Sequence, residues 1–294
     1  MPANKKPQAP QIERVATGFP SLDDMLEGGL PRNSVTLLSG SCGTGKSTFA
    51  MQFLYYGARD YGEAGVYITL EEDPETLIRN MSIYGWDLRH MVETKKLLVI
   101  KPEVYKFDSL KQIIADAIDR IGAKRLVVDS YSVLLTHFSD ADQIRNGLVQ
   151  LDREIKKMGC TALVISDIRD NGEIFSTTGV EEFIVDGVIV VSLVRSADDP
   201  FSLRRAISIR KMRATRHPLS MHTFEIGEGG AEVGEQMHPG RSGWKEASVK
   251  RARGRKAKAR KAAPKEFETQ IQSSKIELSA LRKKGGHSWK WKHL

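Results

Sequence analysis

The stretch from Gly40 to Ser47, GSCGTGKS, fits the pattern G-x-x-x-x-G-K-[ST] at every fixed position. It follows directly on an apolar run, VTLLS from Val35, and leads directly into a helical pattern. A glycine-rich turn between a strand and a helix lets successive backbone N–H groups point inward at phosphate oxygens, and the helix N-terminus adds partial positive charge. The main chain of Gly40, Ser41, Cys42, Gly43, Thr44 and Gly45 is thus expected to cradle a nucleotide's phosphates. Lys46 is placed to reach the outer phosphates and the Ser47 hydroxyl to bind Mg²⁺, with Thr48 the last of the nucleotide-binding candidates. Cys42 reads as a position that tolerates a small residue.

A loop of this kind needs a parallel sheet around it, and the sequence supplies one. Short β-branched runs begin at Val35, Gly65, Leu97, Arg125, Thr161 and Gly187, with longer segments between them. Runs of this kind read as strands buried on both faces. Ser47 to Tyr61, Pro74 to Tyr84, Asp108 to Ile121 and Asp142 to Met158 place apolar residues at three-and-four spacing and predict helices. Alternation of this kind gives an α/β class with a mostly parallel sheet and helices on both faces. After position 200 the runs AISIRKM and SMHTFEI are closely spaced around His217 and Pro218. They predict an antiparallel C-terminal extension.

Residues 1–11 carry no apolar period and read as a flexible leader without a secretory signal; residues 12–227 read as one folded nucleotide-binding domain, and 228–294 as a Gly-rich linker with a basic, largely disordered tail.

Chemistry beyond phosphate binding depends on carboxylates at the carboxyl ends of the strands. Asp129 ends the apolar run Leu126 to Val128 and is the candidate to hold the magnesium shell with Ser47. Glu71 and Glu72 follow Val66 to Leu70 and reach the same edge. A carboxylate near the γ-phosphate can polarise the attacking water. Adjacent residues at a strand end diverge, so one of the pair is expected to touch the water while the other steers or bonds elsewhere. The bland alternative is that both only cap the helix beginning at Pro74.

Composition narrows the setting. The chain has 294 residues, of which 40% are hydrophobic, enough for a real core. No apolar stretch approaches the ~18 residues of a membrane span. Cys42 and Cys160 are too few for a disulfide framework and wrongly spaced for zinc, which fits a reducing, cytoplasmic setting. The net charge of +8 is unevenly spread. Residues 241–294 hold 17 Lys or Arg against 4 Asp or Glu, a net of +13, so the body carries −5. The run VKRARGRKAKARKAAPK at 249–265 can neutralise phosphates of nucleic acid without reading sequence, or simply solvate the tail.

The motifs GFPSLDDMLEGGLPRNSVTLLSGSCGTGKST, YITLEEDPETLIRNMSIYGWDL, LVVDS, GVEEFIVDGVIVV and ISIRKMRATRH together resemble a single-domain archaeal KaiC-like ATPase of the RecA superfamily. The resemblance covers roughly residues 14–226 and implies ATP as substrate with Mg²⁺ as cofactor. It implies Glu71 and Glu72 as catalytic carboxylates beside Lys46, and a homo-oligomeric, hexameric ring. It also implies a site shared between subunits, in which Lys211, Met212, Arg213, Thr215 and His217 reach the neighbour's nucleotide. A cation supplied across an interface would neutralise charge on the transferred phosphoryl group. Glu182 and Phe183 stand where the clock protein carries its phosphoacceptor pair, which argues against autokinase activity there. Nearby Ser176, Thr177 and Thr178 read as solvated turn residues.

The function expected is a ring-forming regulatory ATPase. A RadA- or RecA-like DNA-dependent recombinase is the main alternative, and the loops THFSDADQ and IRDNGEIFSTTG, poor in basic residues, speak against it. A nucleotide-binding switch without hydrolysis is the other alternative; it requires Glu71 and Glu72 to be silent.

Overall fold

The computed structural model describes residues 12–238, apart from 104–106, 137, 139, 169–174 and 196–200. In chain order its elements are β1 (Arg14–Val15), α1 (Pro20–Met25), β2 (Leu30–Pro31), β3 (Val35–Gly40), α2 (Lys46–Asp60) and β4 (Gly65–Thr69). There follow α3 (Pro74–Met81) with a short 3₁₀ turn to Tyr84, α4 (Leu88–Glu93), β5 (Leu97–Ile100), α5 (Phe107–Ile121) and β6 (Arg125–Asp129). The remainder is α6 (Tyr131–Leu135), α7 (Ala141–Lys157), β7 (Thr161–Asp167), α8 (Glu181–Ile184), β8 (Gly187–Arg195), β9 (Leu203–Met212), β10 (His222–Gly227) and β11 (Gly230–Gln236).

Nine strands form one sheet in the order β11-β10-β9-β8-β3-β7-β6-β4-β5. The six strands expected from the β-branched runs are all present and pair in parallel, while β9, β10 and β11 extend the sheet antiparallel. Period-2 alternation divides the core. Leu38, Tyr67, Val127 and Leu163 face α1 to α4. Leu37, Val66, Val128 and Ala162 face α5, α6 and α7. Each fully buried aliphatic side chain contributes about 1.5–3 kcal/mol, so both layers are needed to hold the sheet.

The helices begin where their caps dictate. Asp73 accepts the Thr76 amide at 3.0 Å with Pro74 at the first helical position of α3. Asp140 does the same for Gln143 at 2.8 Å at the start of α7. At the amino edge of the sheet, fully buried Arg125 is held by Glu63 at 2.9 and 2.7 Å and donates to the carbonyls of Ala16 and Phe53. That guanidinium lies so close to α2 that a Cβ at Gly57 would meet it at 2.2 Å.

The boundary expected at 227 needs correction. Gly230–Gln236, read as the start of a linker, is strand β11, paired antiparallel with β10. Ala231 and Val233 are buried in the layer that faces α2. Gln52 of α2 holds the strand at both backbone groups, accepting from the Ala231 amide at 2.7 Å and donating to its carbonyl at 2.9 Å. Trp86 donates to the carbonyl of Gly229 at 3.3 Å. The described domain thus continues to residue 238; the basic run at 249–265 and the rest of the tail lie outside the described residues.

Thermal denaturation checks this. A chain ending at Gly240 should melt with the full chain, whereas one ending at Gly227 should melt well below it. Gln52→Ala, which strips two buried backbone groups of a partner, should cost about 2 kcal/mol.

Candidate nucleotide-binding site

The site is built on the carboxyl edge of the sheet, around the turn from β3 to α2. β3 is buried along its whole length between β7 and β8, and its last residue pairs with Asp167 on one side and Val191 on the other. At Gly40 a Cβ would lie 2.4 Å from the Val191 carbonyl, so only glycine lets the chain leave the sheet there. Gly45 precedes the helix with φ of 98°, and a Cβ on it would meet Ile226 at 2.5 Å. β10 therefore presses on the loop from the antiparallel side. Arg205 of β9 adds a bond to the Gly43 carbonyl at 3.1 Å.

Within the loop Thr44 Oγ1 donates to the Ser41 carbonyl at 2.9 Å. Among the described residues Ser41 Oγ is buried without a hydrogen-bond partner, which fits a loop shaped to receive a polar ligand. Cys42 is exposed and Thr48 is buried. Thr48 Oγ1 lies 3.4 Å from the Tyr84 hydroxyl.

Lys46 is buried, its ammonium directed into the loop, where it donates to the carbonyls of Gly40 and Ser41 at 2.9 and 3.0 Å. It also pairs with Asp167 at 2.9 Å. Asp167 is a site residue that strand spacing alone did not single out. Its signal was present, since it ends β7 next to β3 as Asp129 ends β6.

Ser47 Oγ donates to Asp129 Oδ2 at 2.9 Å. A hydroxyl that gives its proton to a carboxylate keeps its lone pairs for a hard cation, so this oxygen pair fits Mg²⁺. Among the described residues no group of three or more His, Cys, Asp or Glu gathers in metal-binding fashion. Burial pushes the Asp129 carboxyl above its ordinary range, and the charges of Asp167 and Glu71 push the same way against hydrogen bonds from Tyr67 and Ser47. A cation there would relieve that crowding of negative charge.

Glu71 and Glu72 diverge. Glu71 Oε1 accepts from Ser130 Oγ at 3.2 Å, and the same hydroxyl lies 3.4 Å from Asp167 Oδ2, so Glu71 stands on the loop side of the site. Glu72 turns away, accepting from Asn80 of α3 at 3.0 Å, while its backbone is pinned on both sides by Thr69 Oγ1. Neither caps α3, because Asp73 does.

The Lys211 to His217 run lies elsewhere. Lys211 pairs with Val188, which pairs with Leu37, three residues and about 10 Å before the loop begins. Its ammonium donates to the carbonyls of Glu182 at 2.9 Å and Val185 at 2.6 Å. Burial and the neighbouring Arg213 charge lower its pKa. Arg213 pairs with Asp186 at 3.1 Å and Thr215 accepts from Arg14 at 2.5 Å. His217 Nδ1 lies 3.2 Å from the Pro218 carbonyl, and the Met212 side chain is buried in the core, so Met212 has only its backbone to offer a ligand. The expectation of solvated hydroxyls before α8 fails at Ser176, which is buried against Glu182, and Thr178 is bonded to the buried Glu181 at 2.6 Å.

A glycine loop on a central parallel strand, leading into a buried helix and faced by a carboxylate two strands away, defines a P-loop ATPase with a RecA-like sheet. A family model described as "ATPase: KaiC" matches residues 15–238, and the chain belongs to that family. It is similar to a UPF0273 protein of Methanocaldococcus jannaschii, at 37% identity over 232 residues, covering 73% of this chain and 93% of that protein. The crystal structure of a KaiC-like protein from Pyrococcus horikoshii superposes with a TM-score of 0.70 at 38% identity, covering 76% of this chain and all of that one. The circadian clock oscillator protein KaiC of Parathermosynechococcus lividus is 34% identical over 232 residues. The match takes in 76% of this chain but only 42% of that clock protein's length.

Titration with a fluorescent ATP analogue tests the loop. Lys46→Ala should weaken binding at least about tenfold, the equivalent of about 1.4 kcal/mol. Asp167→Asn should bind well, since Lys46 keeps its two carbonyl partners. Full affinity in Lys46→Ala would place the nucleotide elsewhere.

Proposed function

We propose that the chain is a ring-forming, hexameric regulatory ATPase in which each ATP is hydrolysed at a boundary between two subunits. The observation that supports this reading is the distance between two parts of one site. The P-loop, Asp129 and Glu71 share the carboxyl edge of the sheet, while Lys211 and Arg213 sit toward the opposite end, held by backbone carbonyls and Asp186. A chain so built cannot bring those cations to its own nucleotide, but a neighbouring copy can.

In this reading the loop amides and Lys46 hold the phosphates, and Ser47 with Asp129 hold Mg²⁺. Bound there, Mg²⁺ would supply neutralisation of the phosphate charge. Glu71, kept on the loop side by Ser130, orients and polarises the attacking water. Glu72 fixes the strand end through Thr69 and Asn80 and steers Glu71. Lys211 and Arg213 of an adjacent copy neutralise the charge that develops on the γ-phosphoryl group. Both cysteines are free thiols, in keeping with a reducing, cytoplasmic setting.

Mixed assemblies provide the test. Glu71→Gln with Glu72→Gln should bind ATP and release phosphate at least about tenfold more slowly than wild type. Lys211→Ala with Arg213→Ala should also bind ATP and be inactive alone. Mixing the two should restore part of the turnover, because some boundaries then carry one intact half from each. Failure at every ratio would argue for a site complete within one chain. Light scattering with and without Mg-ATP reads the ring directly.

The same proposal gives the basic tail a non-specific hold on nucleic acid. The full chain should then bind mixed-sequence DNA or RNA with an affinity that falls steeply with salt, and a chain ending at Gly240 should not, while keeping its ATPase activity. Equal binding by the shorter chain would remove the tail from the function.

A further inference from the structure

One buried titratable group beside the site has no part in the chemistry above. Tyr67, at the middle of β4, is fully buried. Strand alternation sends Val66 and Ile68 to the α5 side of the sheet and Tyr67 to the α2 side, where Ser47 stands in the first turn of its helix. Tyr67 pairs across the ladder with Val127, so Asp129 stands two residues farther along β6 and on the same face. A diagonal neighbour at that spacing is within reach of a long side chain. Tyr67 Oη donates to Asp129 Oδ2 at 2.5 Å, and Ser47 Oγ donates to the same oxygen at 2.9 Å.

Two donors on one oxygen do what one cannot. A carboxylate at a strand end turns freely about its side-chain bonds, and a single hydroxyl leaves its plane undefined. With Oδ2 gripped from the helix by Ser47 and from the sheet by Tyr67, the carboxylate is fixed in orientation, and Oδ1 takes neither bond. Two charge-assisted donors also favour the ionised carboxylate against the burial that opposes it. Burial and the adjacent Asp129 charge keep the phenol itself far above its ordinary titration range, so it remains a neutral donor.

We propose that Tyr67 is a positioning residue of the cation site, its hydroxyl holding Asp129 in the orientation that, with Ser47, receives Mg²⁺. The proposal rests on the reading of Asp129 and Ser47 as the cation's protein partners. Outer partners of metal ligands typically govern affinity by about 10–100-fold.

The test uses the full chain with saturating ADP and Mn²⁺ as the probe, free Mn²⁺ being measured by electron paramagnetic resonance. Tyr67→Phe should raise the Mn²⁺ dissociation constant about tenfold, while ADP affinity in EDTA stays within about twofold of wild type. Asp129→Asn serves as the reference. If Asp129→Asn weakens Mn²⁺ binding and Tyr67→Phe does not, Tyr67 has no such role and the cation site stands. If neither variant weakens it, the cation site and the role of Tyr67 both fall. Should Tyr67→Phe not fold, 3-fluorotyrosine placed at position 67 keeps the ring and is a stronger donor. A Mn²⁺ dissociation constant shifted from the wild-type value is then expected, and an unchanged one overturns the proposal.

Discussion

Strand β3 is the constraint on which the remainder depends. It lies fifth of nine strands, bracketed in parallel by β7 and β8, and every one of its residues is buried. Leu37 and Leu38 anchor opposite layers, so a shift of β3 by one residue would expose both cores at once. The same strand delivers the chain to Gly40, where the approach of Val191 leaves no room for a side chain. The phosphate loop is therefore held in place by a strand buried along its whole length.

Charge is distributed along the sheet with a clear polarity. At the carboxyl edge Glu71, Asp129 and Asp167 crowd together with the ammonium of Lys46 among them, and Lys101 donates to the Glu71 carbonyl at 2.6 Å. Such a site is electrostatically unbalanced by itself and suited to a substrate that arrives with a cation. At the amino edge the balance is closed. Arg125 is matched by Glu63 and two carbonyls, and Asp186 is matched by Lys156 at 2.7 Å, Arg213 at 3.1 Å and the Val35 amide at 3.0 Å. For Asp186 burial alone would raise the pKa, but these partners bring it below the ordinary carboxylate range. The amino edge is thus closed by its own ion pairs and hydrogen bonds, Arg213 among them, while the carboxyl edge keeps its unmatched carboxylates.

Local chemistry carries much of this molecule, and that portion was legible in the sequence. The P-loop pattern, the six β-branched runs and the four amphipathic helices depend on spacing within ten or fifteen residues, and each is found within a residue or three of where the spacing puts it. The divergence of Glu71 and Glu72 follows from strand geometry in the same way. What escaped depends on partners far along the chain. β11 has a glycine-rich sequence with no strand signal of its own; it pairs with β10, and Gln52, 179 residues earlier, ties it to α2 by bonding both backbone groups of Ala231. Asp167 and Tyr67 gain their roles from strands that cross to lie beside β3 and β6, contacts 121 and 62 residues apart in sequence.

By itself, then, the sequence determined that the chain binds phosphate on a parallel sheet, because a glycine loop between strand and helix needs no distant residue to be a phosphate site. Only the tertiary structure decided which carboxylates surround Lys46, where the domain ends, and that Lys211 and Arg213 stand away from their own P-loop. Those are matters of strand order and register, and order in a sheet is set by which faces must be buried together, a property of the folded whole.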